Sequence, residues 1–159
     1  NVKMEKTLIR GVAKDCNVAT VSIEGLKDTP GVAFKIFNKL AQQKINVDII
    51  LQSVGRENTK DITFSVPKGD AKTAMESLSA LKESLNYKEL TVDETIAKIS
   101  VVGAGMESHP GVASKMFEAL YDAGINIRMI STSEIKISVL IDAEYADKAV
   151  KVVHDAFIN

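Results

Sequence analysis

Apolar and polar residues alternate along some segments of the chain and recur at helical spacing along others. Val21 and Ile23 alternate with polar neighbours, which predicts a strand, and Ile99 and Val101 repeat this pattern. A Pro-Gly pair and an amphipathic helix follow each of these strands. The inward positions of the two helices are Val32, Ile36, Phe37 and Leu40, and then Val112, Met116, Phe117 and Leu120.

Two more strands and a second amphipathic helix are predicted after each of these helices. The strands cover Ile45–Leu51, Ile62–Val66, Ile125–Ile130 and Ile135–Ile141. The helices begin near Asp70 and Glu144, with Ala74, Met75, Leu78 and Leu81 inward in one and Ala149, Val150 and Val153 inward in the other. The predicted order is β-α-β-β-α, twice.

The two halves are copies of one another. Thr29–Ser53 recurs without gaps as His109–Ser133, with 11 of 25 positions identical. In the flanks, Ala19–Gly25 parallels Ala97–Gly103, and Ile62–Val66 parallels Ile135–Val139. A period of roughly 80 residues is too long for a solenoid repeat. It predicts a duplicated small domain.

The closing strands indicate how the copies are connected. The first copy ends with a strand at Glu89–Asp93, whereas the second ends in its helix at Asn159. Thr7–Ala13 is a strand without a partner in the first copy, so we infer that it completes the second. The prediction is an α+β fold of two βαββαβ domains, the first inserted into the second. Their predicted bounds are 15–94 and 95–159, with 5–14 completing the latter.

Composition argues against several classes of function. The net charge is −1 and basic residues are interspersed with acidic ones, which disfavours a nucleic-acid surface. An RNA-recognition module needs aromatic side chains on its central strands, and aromatics make up only 5% of the chain. Arg10, Arg56 and Arg128 do not repeat, which disfavours a phosphate-binding loop of the acylphosphatase kind. No apolar run approaches the roughly 18 residues of a membrane span. We expect a soluble, cytoplasmic protein.

Residues that often carry chemistry do not form a recognisable catalytic set. Val102–Ser108 contains Gly103 and Gly105, but Ser108 stands at the third position of a dinucleotide-binding fingerprint, so a flexible loop is expected. His109 and His154 are far apart in sequence, and Cys16 is the single cysteine. We predict no catalytic site, cofactor or metal in this chain.

The repeated loop before the first helix is a candidate ligand site. In Asp28–Ala33, Thr29 suits the N-cap and Pro30 the first helical position. The backbone N–H groups near Gly31–Ala33 could then bind a carboxylate at the positive end of the helix dipole. Asp28 could hold an ammonium or accept from a hydroxyl, so a free amino acid fits. The alternative is that Asp28 and Thr29 only cap the helix.

These motifs resemble a known family. The order strand, D-x-P-G, helix, I-N-V/I, hairpin, helix is similar to the ACT domain, a ligand-sensing module of ferredoxin-like fold. Thr29–Ala33, Ile45–Gln52, Ser108–Val112 and Ile130–Ile141 look like the regulatory region of aspartokinase, especially where that region is also made as a separate β subunit. The resemblance covers essentially residues 5–159.

The resemblance implies a regulatory role. Aspartokinase phosphorylates the side-chain carboxylate of aspartate with ATP, the first step toward lysine, threonine and methionine. The kinase domain, or α subunit, would be the partner of this region. Two chains would pair as a homodimer, with the first ACT unit of one facing the second of the other and threonine, or else lysine, at the interface. The alternative is an ACT sensor of another biosynthetic enzyme or a free-standing regulator.

The resemblance also implies the effector-binding residues. The first site would use Asp28, Thr29, Gly31, Val32, Ala33 and Gln52 of one chain with Asn126, Ile127 and Met129 of its partner. A second site would use Pro110, Gly111, Val112 and Ala113 with Asn46 and Val47 of the partner. In the second site Ser108 replaces Asp28 and Thr132 replaces Gln52, so we expect weaker binding there. Met4 stands where a separate β subunit would begin.

Overall fold

The computed structural model describes residues 9–104 and 109–158. Residues 5–8 of the predicted N-terminal strand, Met4, Ser108 and the end of the predicted glycine loop lie outside these ranges. The elements are β1 (Ile9–Asp15), β2 (Ala19–Lys27), α1 (Val32–Gln42), β3 (Ile50–Val54), β4 (Thr59–Val66), α2 (Ala71–Ser79), α3 (Lys82–Leu85), β5 (Glu89–Asp93), β6 (Ile96–Gly103), α4 (Gly111–Asp122), β7 (Met129–Thr132), β8 (Lys136–Asp142) and α5 (Ala146–Ile158).

The strands form two four-stranded antiparallel sheets with the same internal order. One sheet has the order β3-β4-β2-β5 and the other β7-β8-β6-β1. β1 therefore takes the edge position that β5 takes in the first copy, next to β6. The chain divides into a unit at Asn17–Glu94 and a unit formed by the segments before and after it.

Each unit has its own core between its sheet and its helices. In the first, Ile36 and Leu40 of α1 and Leu78 of α2 pack on Val21 and Phe64. In the second, Met116 and Leu120 of α4 and Val153 of α5 pack on strand residues of β6 and β8. The predicted inward residues lie in or against these cores, although Leu81 follows the end of α2 at Ser79. The half-buried ones are Phe37, Met75, Leu81, Phe117 and Val150. The α+β class and the insertion are as predicted.

A hydroxyl pair marks equivalent positions at the centre of both sheets. Ser22 and Thr63 lie 2.9 Å apart through their hydroxyl oxygens, and Ser100 and Ser138 lie 2.7 Å apart. Thr63 therefore corresponds to Ser138, and Ile62 corresponds to Ile137. The predicted alignment of Ile62 with Ile135 is wrong by two residues, because the second hairpin, although shorter than the first, is two residues longer than sequence similarity indicated.

The strands that follow the first helix of each copy begin later than the sequence indicated. β3 begins at Ile50, not Ile45, and β7 begins at Met129, not Ile125. The amide of Ile45 donates to the carbonyl of Leu40, and that of Ile125 to the carbonyl of Leu120, so both isoleucines still belong to the helix ends. Both isoleucines are buried in the cores. Among the described residues, no helix combines the length and apolar character needed to cross a membrane.

Candidate functional site

The loop before α1 differs in detail from the sequence-based prediction. Helix α1 begins at Val32 after Gly31, and no side chain caps it by hydrogen bonding. Thr29 as the N-cap and Pro30 as the first helical residue are therefore wrong. Gly31 has a φ of 90°, a left-handed conformation that residues with a Cβ adopt at a cost. Glycine thus sets the sharp entry into the helix.

The first turn of α1 presents backbone donors at this loop. The amide of Lys35 donates to the Gly31 carbonyl at 3.0 Å and closes the first helical turn. The N–H groups that precede it in the helix have no intrahelical acceptor, because the first N–H groups of a helix lack one. Val32 is buried and Ala33 is half-buried beside it. These N–H groups are the donors expected from the sequence to meet a carboxylate.

The carboxylate of Asp28 lies beside a buried lysine. Lys60 of β4 places its Nζ atom 3.6 Å from Asp28 Oδ1. The backbone of Asp28 is also anchored, since its amide donates to the Asn58 carbonyl at 2.7 Å. The loop, the β3–β4 hairpin and the carboxylate are therefore held together. Sequence reasoning missed Lys60, because a lysine inside a strand gives no signal that its partner is an aspartate more than 30 residues earlier.

Strand register brings Gln52 to the same side of the sheet as Lys60. Gln52 lies opposite Ile62, and Val54 lies opposite Lys60. Residues directly opposite on antiparallel strands project to the same face, as do residues two apart on one strand. Ile62 is in the core beneath the helices, so Gln52 and Lys60 project to the helix-covered face. Gln52 itself is exposed, because β3 is an edge strand.

The second copy forms a concave surface at the corresponding place. A depression of about 450 Å³ is lined by His109, Pro110, Ala113, Thr132, Ser133, Glu134 and Ile137. Two of the predicted second-site residues line it: Pro110, which precedes α4, and Ala113 in its first turn. Thr132 of β7 lies beside them. Gly111 is the first residue of α4, and Val112 is buried in the core. Glu134 and His109 were not predicted as lining residues, and Glu134 supplies a carboxylate from the hairpin instead of from the loop.

The residues proposed to reach a partner chain lie on connections before the edge strands. Asn126 is exposed and Ile127 half-exposed, and Asn46 and Val47 have the same exposures in the other copy. Met129 is different: it is buried in its own unit, opposite Leu140. If Met129 contacts an effector bound at the partner chain's first site, it would therefore do so through its backbone.

Other candidate chemistry lies away from these loops. Cys16 and His154 are exposed, and no group of three His, Cys, Asp or Glu residues in 9–104 and 109–158 is arranged to hold a metal. Burial raises the pKa of the Tyr87 hydroxyl, which donates to the Leu78 carbonyl at 3.1 Å. The hydrogen bond to Asp147 raises the pKa of Lys14 at the surface of the other unit. Both contacts serve structure.

The fold and the duplicated loop define a pair of ACT domains: the ACT-domain family model matches residues 21–81 and 99–157. An aspartate kinase of Stutzerimonas stutzeri is 47% identical over 97% of this chain. The regulatory subunit of aspartate kinase from Thermus thermophilus, solved in a ligand-free form, is 42% identical, with a TM-score of 0.90 over 94% of this chain and 99% of that one.

A solved structure of aspartokinase alpha and beta subunits is also similar, with 46% identity and a TM-score of 0.87 over 94% of this chain and 98% of that one. The chain belongs to the ACT-domain family, as an aspartokinase regulatory region. It spans 37% of the length of the Stutzerimonas enzyme.

Proposed function

We propose that this chain is the feedback sensor of an aspartate kinase, and that it binds an end-product amino acid between two copies of itself to inhibit aspartate phosphorylation. The observation that carries the proposal is the loop at Asp28–Gly31, which combines a carboxylate with the open first turn of α1. An α-amino acid presents a carboxylate and an ammonium a few ångströms apart. The helix turn is suited to the former and Asp28 to the latter or to a side-chain hydroxyl.

The exposed edge of the first sheet supports pairing with a second chain. Every residue of β3 is exposed, including Ile50 and Leu51 at 53% and Val54 at 73%. Apolar edge strands are normally covered or protected by charged side chains, because their unpaired N–H and C=O groups can pair with a strand of another chain. Ile130 on the corresponding edge strand β7 is 50% exposed. We propose that the first unit of one chain faces the second unit of the other, so that Asn126 and Ile127 approach the partner's Asp28 loop.

The first site is proposed to take threonine ahead of lysine. Gln52 and Asp28 can both hydrogen-bond a hydroxyl, and the zwitterionic part of the ligand fits the helix turn. The second site, at Pro110–Ala113, has Thr132 in place of Gln52 and is proposed to bind more weakly. Its lining by Glu134 and His109 keeps a polar ligand possible there.

Inhibition follows from linkage between effector binding and chain pairing. An effector that binds one arrangement of the paired domains better than another shifts the population toward that arrangement. Coupling of about 1–3 kcal/mol, or roughly 5- to 150-fold in affinity, is typical. The kinase domain or α subunit would sense the arrangement, and would lose activity in the effector-bound form.

Calorimetric titration with L-threonine and L-lysine tests the proposal. We expect saturable threonine binding that raises the melting temperature and favours the dimer in sedimentation. Asp28→Ala should weaken binding by about 10- to 100-fold, because an interaction with a charged group contributes about 1.5–3 kcal/mol. Asp61→Ala is the control, because Asp61 lies outside the proposed site and its carboxylate accepts a hydrogen bond from the Gly25 amide at 3.0 Å. Equal weakening in both variants, or no binding by the folded dimer, would contradict the proposal.

A further inference from the structure

Lys60 is an unusual residue at the edge of the proposed first site. Its side chain is 8% exposed, although lysines are seldom buried without a partner. The Asp28 carboxylate, 3.6 Å from its Nζ atom, is the counter-charge that makes this burial tolerable. The stem of Lys60 follows the core face of β4, two residues from Ile62, and its charged end reaches the effector loop.

The second copy has no lysine at this position. Ile62 and Ile137 are equivalent through their cross-strand partners Gln52 and Thr132, so the residue equivalent to Lys60 is Ile135. Ile135 is 57% exposed and apolar. The buried ammonium is therefore a property of the first copy, and the duplication alone does not require it.

The ion pair changes what charge the site can accept. Asp28 contributes one negative charge and Lys60 one positive charge, so together they are neutral. We propose that Lys60 is a specificity-determining residue that restricts the first site to amino acids with an uncharged side chain. This inference rests on the proposed function, because it concerns the ligand of the same loop.

Two effects of Lys60 give this restriction: it repels a cationic side chain, and it orients the Asp28 carboxylate. A cationic side chain would enter a site where Asp28 is already paired with Lys60, and it would meet the Lys60 ammonium as a like charge. An uncharged hydroxyl avoids this repulsion. A carboxylate has two oxygens, so Asp28 can contact Lys60 through Oδ1 and accept from an effector hydroxyl or ammonium through Oδ2. Lys60 thereby also orients the carboxylate.

Lys60→Met removes the charge and keeps the length of the side chain, which makes it the direct test. Titrations of the 159-residue chain with L-threonine, L-lysine and L-norleucine separate charge from size, because norleucine is nearly the size of lysine without its ammonium. Amide resonances of Val32 and Ala33 would assign each binding event to the first site. We expect the ratio of lysine to threonine affinity to rise at least tenfold in Lys60→Met, with the ratio of norleucine to threonine affinity changing less than threefold.

Two further variants keep the result interpretable. Lys60→Gln removes the charge but retains a donor, and it replaces Lys60→Met if that variant folds poorly. It should shift the ratio of lysine to threonine affinity in the same direction. Lys60→Arg retains the charge and should keep the discrimination of the parent chain. A parent chain that binds threonine, combined with unchanged lysine ratios in both neutral variants, would overturn the inference and leave the proposed function standing. A folded parent chain that binds no amino acid would overturn both.

Discussion

The two copies of the ACT unit share a backbone plan but differ at the loop where each would bind a ligand. In the first copy, Asp28 is paired with the buried Lys60, and Gly31 in a left-handed conformation precedes the helix. In the second, the helix begins at Gly111 itself, and an open depression lined by Thr132 and Glu134 occupies the same side of the sheet. The two copies thus share a framework and differ in charge at these loops.

This difference shows which parts of the sequence the fold requires. Both sheets keep a hydroxyl pair at their centre and buried aliphatic residues under the helices. Because both copies have these features, they belong to the shared framework. Lys60 and Ile135 are equivalent by strand register but differ in charge and in burial, so the shared fold does not fix the residue at this position.

The largest effect is expected from a charge on the exposed edge of the first sheet. Leu51→Asp would place a carboxylate on β3, where we propose that the partner chain pairs, and desolvating it there would be costly. We predict at least a tenfold weaker dimer by sedimentation, with loss of threonine binding because the partner's residues are removed.

Thr91→Asp is the matched control for this substitution. Thr91 lies on β5, at the opposite edge of the same sheet, and shares a row with Ser22, Thr63 and Leu51. It should leave the dimer unchanged. Equal dissociation in the two variants, or in neither, would refute the assignment of β3 to the interface.

An intermediate effect is expected from exchanging the side chains that distinguish the two sites. Gln52→Thr gives the first copy the residue of the second, and should weaken threonine binding about tenfold, or about 1.4 kcal/mol, because the threonine hydroxyl can also donate and accept but is on a shorter side chain that does not reach as far as the glutamine amide. Thr132→Gln is the reciprocal variant and should strengthen binding at the second site. Calorimetry of both variants checks this, and unaltered affinities would remove Gln52 from the proposed site.

The smallest effect is expected from the glycines at the two helix entries. Gly31→Ala should lower the free energy of unfolding by about 1 kcal/mol, because alanine is strained at a φ of 90°. Gly111→Ala lies within a helix and should be neutral or slightly stabilising. Urea denaturation measures both. Equal changes would show that the two loops are alike in solution despite their different conformations.

Most of the fold was predictable because the same hydrophobic pattern occurs twice along the chain. Where Ile36 and Leu40 indicated a helix face, Met116 and Leu120 repeated it, and the unmatched strands at Glu89–Asp93 and Thr7–Ala13 indicated the insertion. The predicted starts of the strands were less accurate. Ile45 is apolar because it packs in the core, and its amide donates to the Leu40 carbonyl at the end of the helix instead of to a strand. Hydrophobic pattern does not separate these two uses of an isoleucine.

The site was predictable only in part. The loop at Asp28 was indicated by its local motif, whereas Gln52 was expected only from the resemblance to the aspartokinase regulatory region. The helix start was misplaced because Thr29 and Pro30 carry capping preferences that the left-handed Gly31 overrides. Lys60 and Glu134 could not be found, since their roles depend on strand register across hairpins of different length.

The central claim is that the first copy, and not the second, is the principal effector site. Backbone amide resonances of the chain during a threonine titration test this most directly. We predict that Val32 and Ala33 shift and saturate at a threonine concentration at least tenfold lower than Val112 and Ala113. Equal saturation of the two pairs, or earlier saturation of Val112 and Ala113, would contradict the account.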